Sequence, residues 1–523
     1  MDDVAGAAAV GPRAEPRPAA RGKRSHAPTA LRWAFVMNWG QRGLATIVSI
    51  LVAAVIGPEA YGVVAMALIY IAFIQLLLEQ GISSAIIQRV DLDPEHLDSA
   101  FWMNLAWCVV LAGVSVLMAG WWADLNKTPQ LEPVIDVLSF WLILSGLTIV
   151  QQSILQRELK FKKLALRSNL AALVGAVVGI VLALEGAGVW AVVTQQMATA
   201  VVSVALLWTI SRWLPRFRFS IRHAKELLGF SGQVFAGNMA IFVNRRVDAL
   251  MLGLFFGPVA VGLYRFADRV VESVLSLVAR PVQLFSLPEF SRHQRSPAEL
   301  RRSVFSCMRL TLLTTVPTLL IIAACGKFLV GVLGDKWSSA TPALQLLSVA
   351  GISKALILFT GPLLVAMAKP ALRIFTFWFF AAISAATFAL VAIFIEHDST
   401  HTQVLGMAAS RAALFALIFI PACLWLIAHL AGMPLRGLLP ALRTPVLSGG
   451  ASVLVVVLLE LTGALDGVSP IVGLCVTLPL AAAAGGGTLL LLEPAARSAA
   501  VRVLRKLQAR FTSPRVGTTG AGQ

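Results

Sequence analysis

The chain has 523 residues, of which 58% are hydrophobic and only 13% are charged, and its formal net charge is +17. Soluble domains carry about 25% charged and 45–50% apolar residues, so this composition excludes a water-soluble globular fold. Long apolar runs separated by short polar gaps instead predict an all-α integral membrane protein.

The chain begins with a polar segment and continues with apolar spans. Residues 1–30 are rich in Ala, Pro, Gly and Arg, which predicts a disordered basic cytoplasmic tail. About 14 transmembrane helices follow, since roughly 20 apolar residues cross a bilayer. They are predicted at 31–56, 60–88, 99–122, 132–156, 164–185, 188–211, 226–256, 259–286, 303–333, 341–367, 371–395, 402–430, 441–463 and 468–492. Residues 494–523 form a second basic cytoplasmic tail in this prediction.

The distribution of Lys and Arg along the chain indicates the orientation of the spans. If the N-terminus is cytoplasmic, 33 of the 43 basic residues fall on that side and three fall in the opposite loops. This asymmetry follows the positive-inside rule and predicts that both termini are cytoplasmic. The net charge is therefore a topological signal, and nucleic acid is not an expected partner. We predict a multi-pass membrane protein, with the lipid bilayer as its partner.

Two segments of the chain match at an offset of 200 residues. The matching pairs are Asn38 and Asn238, Gly57-Pro58 and Gly257-Pro258, and Gly62 and Gly262. This repeat predicts two six-helix lobes, 31–215 and 216–432, with two extra C-terminal helices within 433–493. Six is an even number, so the lobes are related by an axis along the membrane normal. Membrane proteins with such repeats are commonly transporters whose binding site lies between the repeats.

Polar and ionisable residues within the predicted spans are the strongest functional signal, because a charge in the bilayer is costly. Residues 265, 268, 269 and 272 follow an i, i+3, i+4, i+7 pattern on one helix face. The candidate substrate-binding residues of a cationic cavity are Asn38, Gln41, Arg42, Asn238, Arg245, Arg265, Arg269, Lys354 and Arg411. The candidate coupling or charge-balancing residues are Glu79, Asp248, Asp268 and Glu272.

The excess of cations over carboxylates predicts a site for an anionic headgroup. A pyrophosphate needs several convergent donors, and the forked guanidinium of arginine supplies them. Structural ion pairs, such as Arg245 with Asp248, are the alternative interpretation of the same residues.

Other chemistry has little support in the sequence. There is no GxxxxGK[ST] or GxGxxG motif, so ATP hydrolysis is not expected and no cofactor is predicted. His397 and His401 have a metal-ligand spacing, but they lie in a short predicted loop, and a solvated loop is the preferred interpretation. The five cysteines are scattered singly, which indicates neither a disulfide framework nor a zinc site.

Several short motifs are concentrated in the first third of the chain. They are Asn38-Trp39-Gly40-Gln41-Arg42, Gly57-Pro58-Glu59-Ala60-Tyr61-Gly62, Glu79-Gln80-Gly81, Gln88-Arg89, His96-Leu97-Asp98-Ser99-Ala100-Phe101-Trp102, Gln156-Arg157 and Phe161. These motifs resemble those of the Wzx-type polysaccharide exporters of the MOP superfamily, to which MurJ lipid flippases and MATE drug exporters also belong. The similarity is strongest over about 35–170 and weaker to about 430, and it implies a location in the bacterial cytoplasmic (inner) membrane.

This resemblance implies a function and two site residues. The function is to flip undecaprenyl-pyrophosphate-linked oligosaccharide from the inner to the outer leaflet by alternating access, for exopolysaccharide, capsule or lipopolysaccharide biosynthesis. Arg42 and one of Arg265 and Arg269 occupy places similar to the pyrophosphate-binding arginines of MurJ-like relatives. Gly43 stands where those relatives tend to carry an acidic residue. Polysaccharide polymerase and glycosyltransferases of the same pathway are the implied protein partners.

Two other functions remain open from the sequence. A MATE-like ion-coupled exporter of small molecules has the same fold, but a cavity rich in arginine repels the cations that such exporters often carry. A membrane enzyme or assembly partner acting on the same lipid-linked sugars is the other alternative. Enzymes of this kind need catalytic groups on a large outer loop, whereas the outer loops predicted here have about ten residues.

Overall fold

The computed structural model describes residues 27–78, 82–89, 91–211, 213–221, 232–432, 434, 440–465, 467–494 and 497–498. Regular secondary structure in these ranges is entirely helical. The first half of the chain contains α1 (Ala27–Leu78), α2 (Ile82–Gln88), α3 (Pro94–Leu125), α4 (Leu131–Arg157), α5 (Phe161–Leu184) and α6 (Val189–Ile210). The predicted tails lie largely outside the described residues, and α1 begins at Ala27, four residues before the predicted span.

The second half continues with longer and more interrupted helices. These are α7 (Gly232–Phe256), α8 (Pro258–His293), α9 (Pro297–Ala324), α10 (Gly326–Gly331), α11 (Ala340–Ile357), α12 (Thr360–Ala366), α13 (Pro370–Phe394), α14 (Thr400–Leu414) and α15 (Ile420–Ala431). A π-helical turn, Phe415–Phe419, joins α14 to α15. The chain then forms α16 (Pro440–Leu461) and α17 (Pro470–Leu492).

The helices coincide with all fourteen predicted spans, and twelve helical stretches of the described chain are long and apolar enough to cross a membrane. The two numbers differ for physical reasons. The first two predicted spans lie within α1, which is two helices joined across a kink at Gly57, and they count once. Helix α7 is not counted among the twelve because it contains three charged residues close together, Arg245, Arg246 and Asp248, which make it too polar by composition. The protein is therefore a multi-pass membrane protein, and the count of fourteen is approximate.

The predicted Gly-Pro turns share one backbone conformation. Gly57 has φ 81° and ψ 171°, and Gly257 has φ 81° and ψ −173°. Positive φ favours glycine because a Cβ atom makes this region unfavourable. The proline that follows each glycine has the fixed φ that suits the first position of a new helix.

These two turns meet at one end of the helix bundle, here called the Gly-Pro end (57–62 and 257–262). A Cβ atom built on Gly62 would lie closer than 3.0 Å to the carbonyl oxygen of Pro258, and one built on Gly262 equally close to that of Pro58. The backbones of α1 and α8 thus touch in a nearly symmetric way. Glycine is required at both positions because any side chain would displace backbone.

Aromatic rings extend this contact between the two halves. Trp337 is fully buried. Its ring lies 5.8 Å from that of Tyr61 in α1 and 5.1 Å from that of Phe266 in α8. Further along the interface, the Thr46 and Ser273 hydroxyls are 3.0 Å apart, and the rings of Phe73 and Phe242 are 5.8 Å apart. The Gly-Pro end is therefore sealed in this conformation.

Helices α16 and α17 pack against each other and against α9. Their contact is close because Ser448 donates to the Gly485 carbonyl at 2.7 Å and Ser452 donates to that of Ala481 at 2.8 Å. Interhelical hydrogen bonds and small residues of this kind hold membrane helices together. The pair is an addition to the C-terminal half of the bundle.

Candidate functional site

A cavity of about 280 Å³, here called the inter-half cavity, separates α1, α5 and α6 from α7 and α8. Most of its wall is aliphatic, as expected for the middle of a membrane. Its polar lining residues are Ser49, Tyr61, Gln195, Gln196, Thr199, Arg246, Arg265 and Arg269. The cavity lies where the repeat predicts a binding site, between the two halves of the chain.

The three arginine side chains that line the inter-half cavity all come from the C-terminal half of the chain. Arg265 donates to the Asp268 carboxylate at 2.7 Å. Arg246 and Arg269, in contrast, make no ion pair with any carboxylate of the described chain. The wall formed by α7 and α8 thus presents two guanidinium groups without a direct carboxylate partner among the described residues, which suits an anion.

The facing wall offers neutral hydrogen-bonding groups on α1 and α6. The Thr199 hydroxyl donates to the Gln195 carbonyl at 2.8 Å, and the Ser49 and Tyr61 hydroxyls are 3.3 Å apart. The two glutamine side chains, Gln195 and Gln196, line the cavity with both donors and acceptors. Such groups suit hydroxyl-rich ligands, because each sugar hydroxyl can both donate and accept.

Behind the cationic wall lies a buried ion network formed by Asp248, Tyr264, Arg265, Asp268 and Arg411. Arg411 forms an ion pair with Asp248 and lies 3.3 Å from an Asp268 oxygen. The Tyr264 hydroxyl donates to Asp248 at 2.7 Å and accepts from Arg411 at 3.0 Å. Asp268 thus joins Arg411 to Arg265. The network balances two cations with two carboxylates and links α7, α8 and α14.

Glu272, one turn further along α8, belongs to a separate ion pair cluster. It is bound by Lys354 of α11 and lies 3.2 Å from Arg280. The four charged residues that the sequence places on one face of α8 therefore have two different environments. Arg265 and Arg269 line the inter-half cavity, whereas Asp268 and Glu272 contact cations within the C-terminal half.

The structure does not bring all candidate residues to one place. Arg245 and Lys354 line a second cavity within the C-terminal half, and Arg411 is buried in the ion network. Asn238 is partly buried on α7 and lines neither of these cavities. The side chains of Asn38, Gln41 and Arg42, and the whole of Glu79, lie outside the described residues.

Sequence reasoning missed some of the lining residues. Arg246 is one of the cations within the predicted spans, but it lies beside the helix face that Arg245 and Asp248 share and is not among the candidate binding residues. Gln195, Gln196 and Thr199 carry no charge, so the pattern of intramembrane charges does not indicate them, although two consecutive amides inside an apolar span are themselves a signal.

Comparison with known proteins decides the family. A family model described as "Polysaccharide biosynthesis protein" matches residues 51–342, which is more than half of the chain. The chain belongs to the polysaccharide biosynthesis protein family. The match contains α2 to α10 and the second half of α1, and hence all polar residues of the inter-half cavity except Ser49.

Two curated relatives of this family member have names that describe their roles. The succinoglycan biosynthesis transport protein ExoT of Rhizobium meliloti (strain 1021) is 26% identical over 61% of this chain and 65% of ExoT. The lipopolysaccharide biosynthesis protein WzxC of Escherichia coli (strain K12) is 24% identical over 65% of this chain and 69% of WzxC. The chain therefore spans slightly less than two thirds of the length of ExoT.

The fold of this family member is also known from solved structures. The lipid II flippase MurJ in an inward closed conformation superposes with a TM-score of 0.64 at 14% identity, covering 86% of this chain and 98% of MurJ. At this identity the likeness shows the fold alone. The predicted likeness to polysaccharide biosynthesis proteins and the predicted MurJ-like helical fold are confirmed.

Proposed function

We propose that this protein is a transporter that moves an undecaprenyl-pyrophosphate-linked oligosaccharide from the inner to the outer leaflet of the bacterial cytoplasmic membrane. The observation that carries the proposal is a pair of guanidinium groups, Arg246 and Arg269, that line a cavity between the two halves of the bundle and form no direct ion pair with a described carboxylate. Family membership and the names of ExoT and WzxC support a place in polysaccharide biosynthesis.

Each wall of the inter-half cavity has a role in this mechanism. Arg246, Arg265 and Arg269 bind the pyrophosphate, and the family resemblance adds Arg42 to them. Gln195, Gln196 and Thr199 on the opposite wall contact the sugar. The present volume, about 280 Å³, is slightly below that of pockets that hold drug-sized ligands, roughly 300–1,000 Å³. The cavity must therefore widen to admit an oligosaccharide, and separation of the two halves widens it.

The transport cycle is alternating access without chemical change of the substrate, so the protein is not an enzyme. The two halves rock about their interface. The Gly-Pro end lies on the outer side of the membrane, and it is sealed in the inward-facing state. Both termini are cytoplasmic in this orientation. The cations of the cavity disfavour the cationic substrates of many small-molecule exporters. The pathway's polymerase and glycosyltransferases are its functional partners.

The location of lipid-linked sugars in a deletion strain tests the proposed function. We expect undecaprenyl-linked oligosaccharides to accumulate in the inner leaflet, where a membrane-impermeant sugar-modifying reagent cannot reach them in spheroplasts. Restoring the gene returns them to the outer leaflet, and mass spectrometry identifies the sugar. Normal labelling in the deletion strain with absent polymer would reject transport and point to a later step.

Substitution of the cavity arginines tests the binding mode. We expect Arg246→Ala and Arg269→Ala each to lower export by about tenfold or more, because a hydrogen bond to a charged group contributes about 1.5–3 kcal/mol. Arg42→Ala and Arg265→Ala are also expected to lower export, while both variants insert normally into the membrane. The measurement is the leaflet assay, normalised to the amount of protein in the membrane.

Arg292→Ala is the matched control for these variants, because Arg292 is exposed near the end of the helix that carries Arg269. It should export normally. Wild-type export by both Arg246→Ala and Arg269→Ala would show that the inter-half cavity does not bind the pyrophosphate.

A further inference from the structure

The described part of the C-terminal half contains a second cavity of about 320 Å³, bounded by α7, α8, α11, α12, α13 and the π-helical turn. It shares no lining residue with the inter-half cavity. Arg245 lines the second cavity whereas its neighbour Arg246 lines the inter-half cavity, so α7 separates the two spaces. The transport mechanism proposed above makes no use of this second cavity.

One part of its wall is cationic. Arg245 makes no ion pair with a described carboxylate. Lys354 is bound to Glu272, but Glu272 is shared with Arg280. The Arg373 guanidinium lies 5.5 Å above the Phe377 ring and is likewise without an ion pair among the described residues. Three cations thus line the cavity. The carboxylate of Glu272 is shared between Lys354 and Arg280 and balances only part of this charge, so the site favours an anion.

The other part of the wall is aromatic. The rings of Phe380 and Phe419 stack with 4.1 Å between centroids, and those of Phe415 and Phe419 are 4.7 Å apart. Phe415 and Phe419 are the two ends of the π-helical turn. Turns of this type are rare and frequently occur at functional sites. The rings, together with Phe377, form an apolar surface continuous with the cationic one.

The cavity reaches the molecular surface far from the Gly-Pro end. Its lining residues Leu287 and Val365 are 38% and 41% exposed. Leu287 follows Pro258 by 29 residues of α8, which corresponds to roughly 44 Å at 1.5 Å per residue. The opening is therefore at the level of the membrane leaflet opposite the Gly-Pro end, where lipid headgroups are available.

We propose that the second cavity binds a membrane lipid that carries a phosphate group. Arg245, Lys354 and Arg373 hold the phosphate, and the apolar chain lies against Phe377, Phe380, Phe415 and Phe419. The lining residues call for both a phosphate and an apolar chain. A soluble anion would leave the aromatic surface without a partner, and a neutral lipid would leave the cations without one. An isoprenoid phosphate and an anionic glycerophospholipid share this chemistry. The inference does not depend on the proposed transport function.

Photo-crosslinking to the full-length protein in nanodiscs of neutral lipid tests the proposal. The probe is an isoprenoid monophosphate that carries a diazirine on its chain. We expect labelled peptides from α13 and the π-helical turn, and at least fivefold less labelling in Arg373→Ala and Arg245→Ala. Lys369→Ala is the matched control, because Lys369 is exposed one turn before Arg373 and does not line the cavity. It should label like the wild type.

A second variant blocks the cavity without removing a charge. A Cβ atom on Gly361 would face the Phe377 ring at 3.8 Å, so Gly361→Leu places a side chain in the cavity. We expect labelling to fall at least fivefold with an unchanged melting temperature. Competition by unlabelled decaprenyl phosphate identifies an isoprenoid carrier, and competition by phosphatidylglycerol identifies a glycerophospholipid. Equal labelling of Arg373→Ala and wild type, or equal competition by an uncharged isoprenol, would overturn the proposal.

Discussion

Gly62→Ala is expected to stop export almost completely while the protein still inserts into the membrane. The added methyl group would overlap with the Pro258 carbonyl oxygen, and backbone cannot move aside as a side chain can. Overpacking costs about 1–3 kcal/mol, which changes an equilibrium by up to about a hundredfold. The cost falls on the conformation in which the Gly-Pro end is sealed, so the cycle is held in conformations that open there. Gly262→Ala should have the same effect, because its Cβ would meet the Pro58 carbonyl.

Two measurements check this expectation. The leaflet assay measures export. The alkylation rate of Ala260→Cys in nanodiscs, with Cys475→Ser as background, reports opening, since Ala260 is fully buried beside the contact. We expect faster alkylation by a water-soluble maleimide in Gly62→Ala. The control is Gly113→Ala, where a Cβ meets nothing within 4 Å. Normal export and unchanged alkylation in Gly62→Ala would show that the sealed contact is no part of the cycle.

Arg411→Leu is expected to destabilise the protein strongly. Arg411 and its partner Asp248 are almost completely buried, and Asp268 depends on Arg411 as well as on Arg265. Removal of one partner from a buried ion pair typically costs about 3–5 kcal/mol, because the remaining charge is left without compensation. A large fall in melting temperature in detergent, together with low accumulation in the membrane, is the expected result.

A double variant separates this structural role from substrate binding. Arg411→Leu combined with Asp248→Asn leaves the Arg265–Asp268 pair balanced, so stability should recover in part. Arg280→Leu is the control with a small expected effect, because Glu272 keeps Lys354. A melting temperature of Arg411→Leu equal to that of the wild type would contradict the network's structural role and return Arg411 to the substrate-binding residues.

The features predicted correctly from sequence depend on local properties. The spans follow from the length of apolar runs, and the Gly-Pro turns follow from backbone preferences of adjacent residues. Both are properties of a few neighbouring residues. The close approach of Gly62 and Gly262 was indicated only indirectly, through the repeat.

The assignment of charges to partners depends on distant residues. Arg411 and Asp248 are 163 positions apart, and Lys354 and Glu272 are 82 apart, so helix packing decides these pairs. On α8, side chains at i and i+4 differ by about 40° and those at i and i+3 by about 60° in the other direction. Arg265 and Arg269 can therefore face one space while Asp268 faces another. The sequence pattern places the four charged residues of α8 on one broad helix face and cannot show which of them face the cavity and which face other helices.

The neighbouring positions of Arg245 and Arg246 on α7 have a thermodynamic consequence. Each guanidinium contributes to the electrostatic potential in both cavities, because the two groups are attached to adjacent residues of one helix. An anion bound in one cavity lowers the positive potential available in the other. If both cavities bind anions as proposed, the two sites are linked with negative cooperativity, and linkage requires that each ligand weaken the other by the same factor. A phosphate-bearing lipid in the second cavity would then promote release from the inter-half cavity, and its abundance would set how readily the cycle turns over.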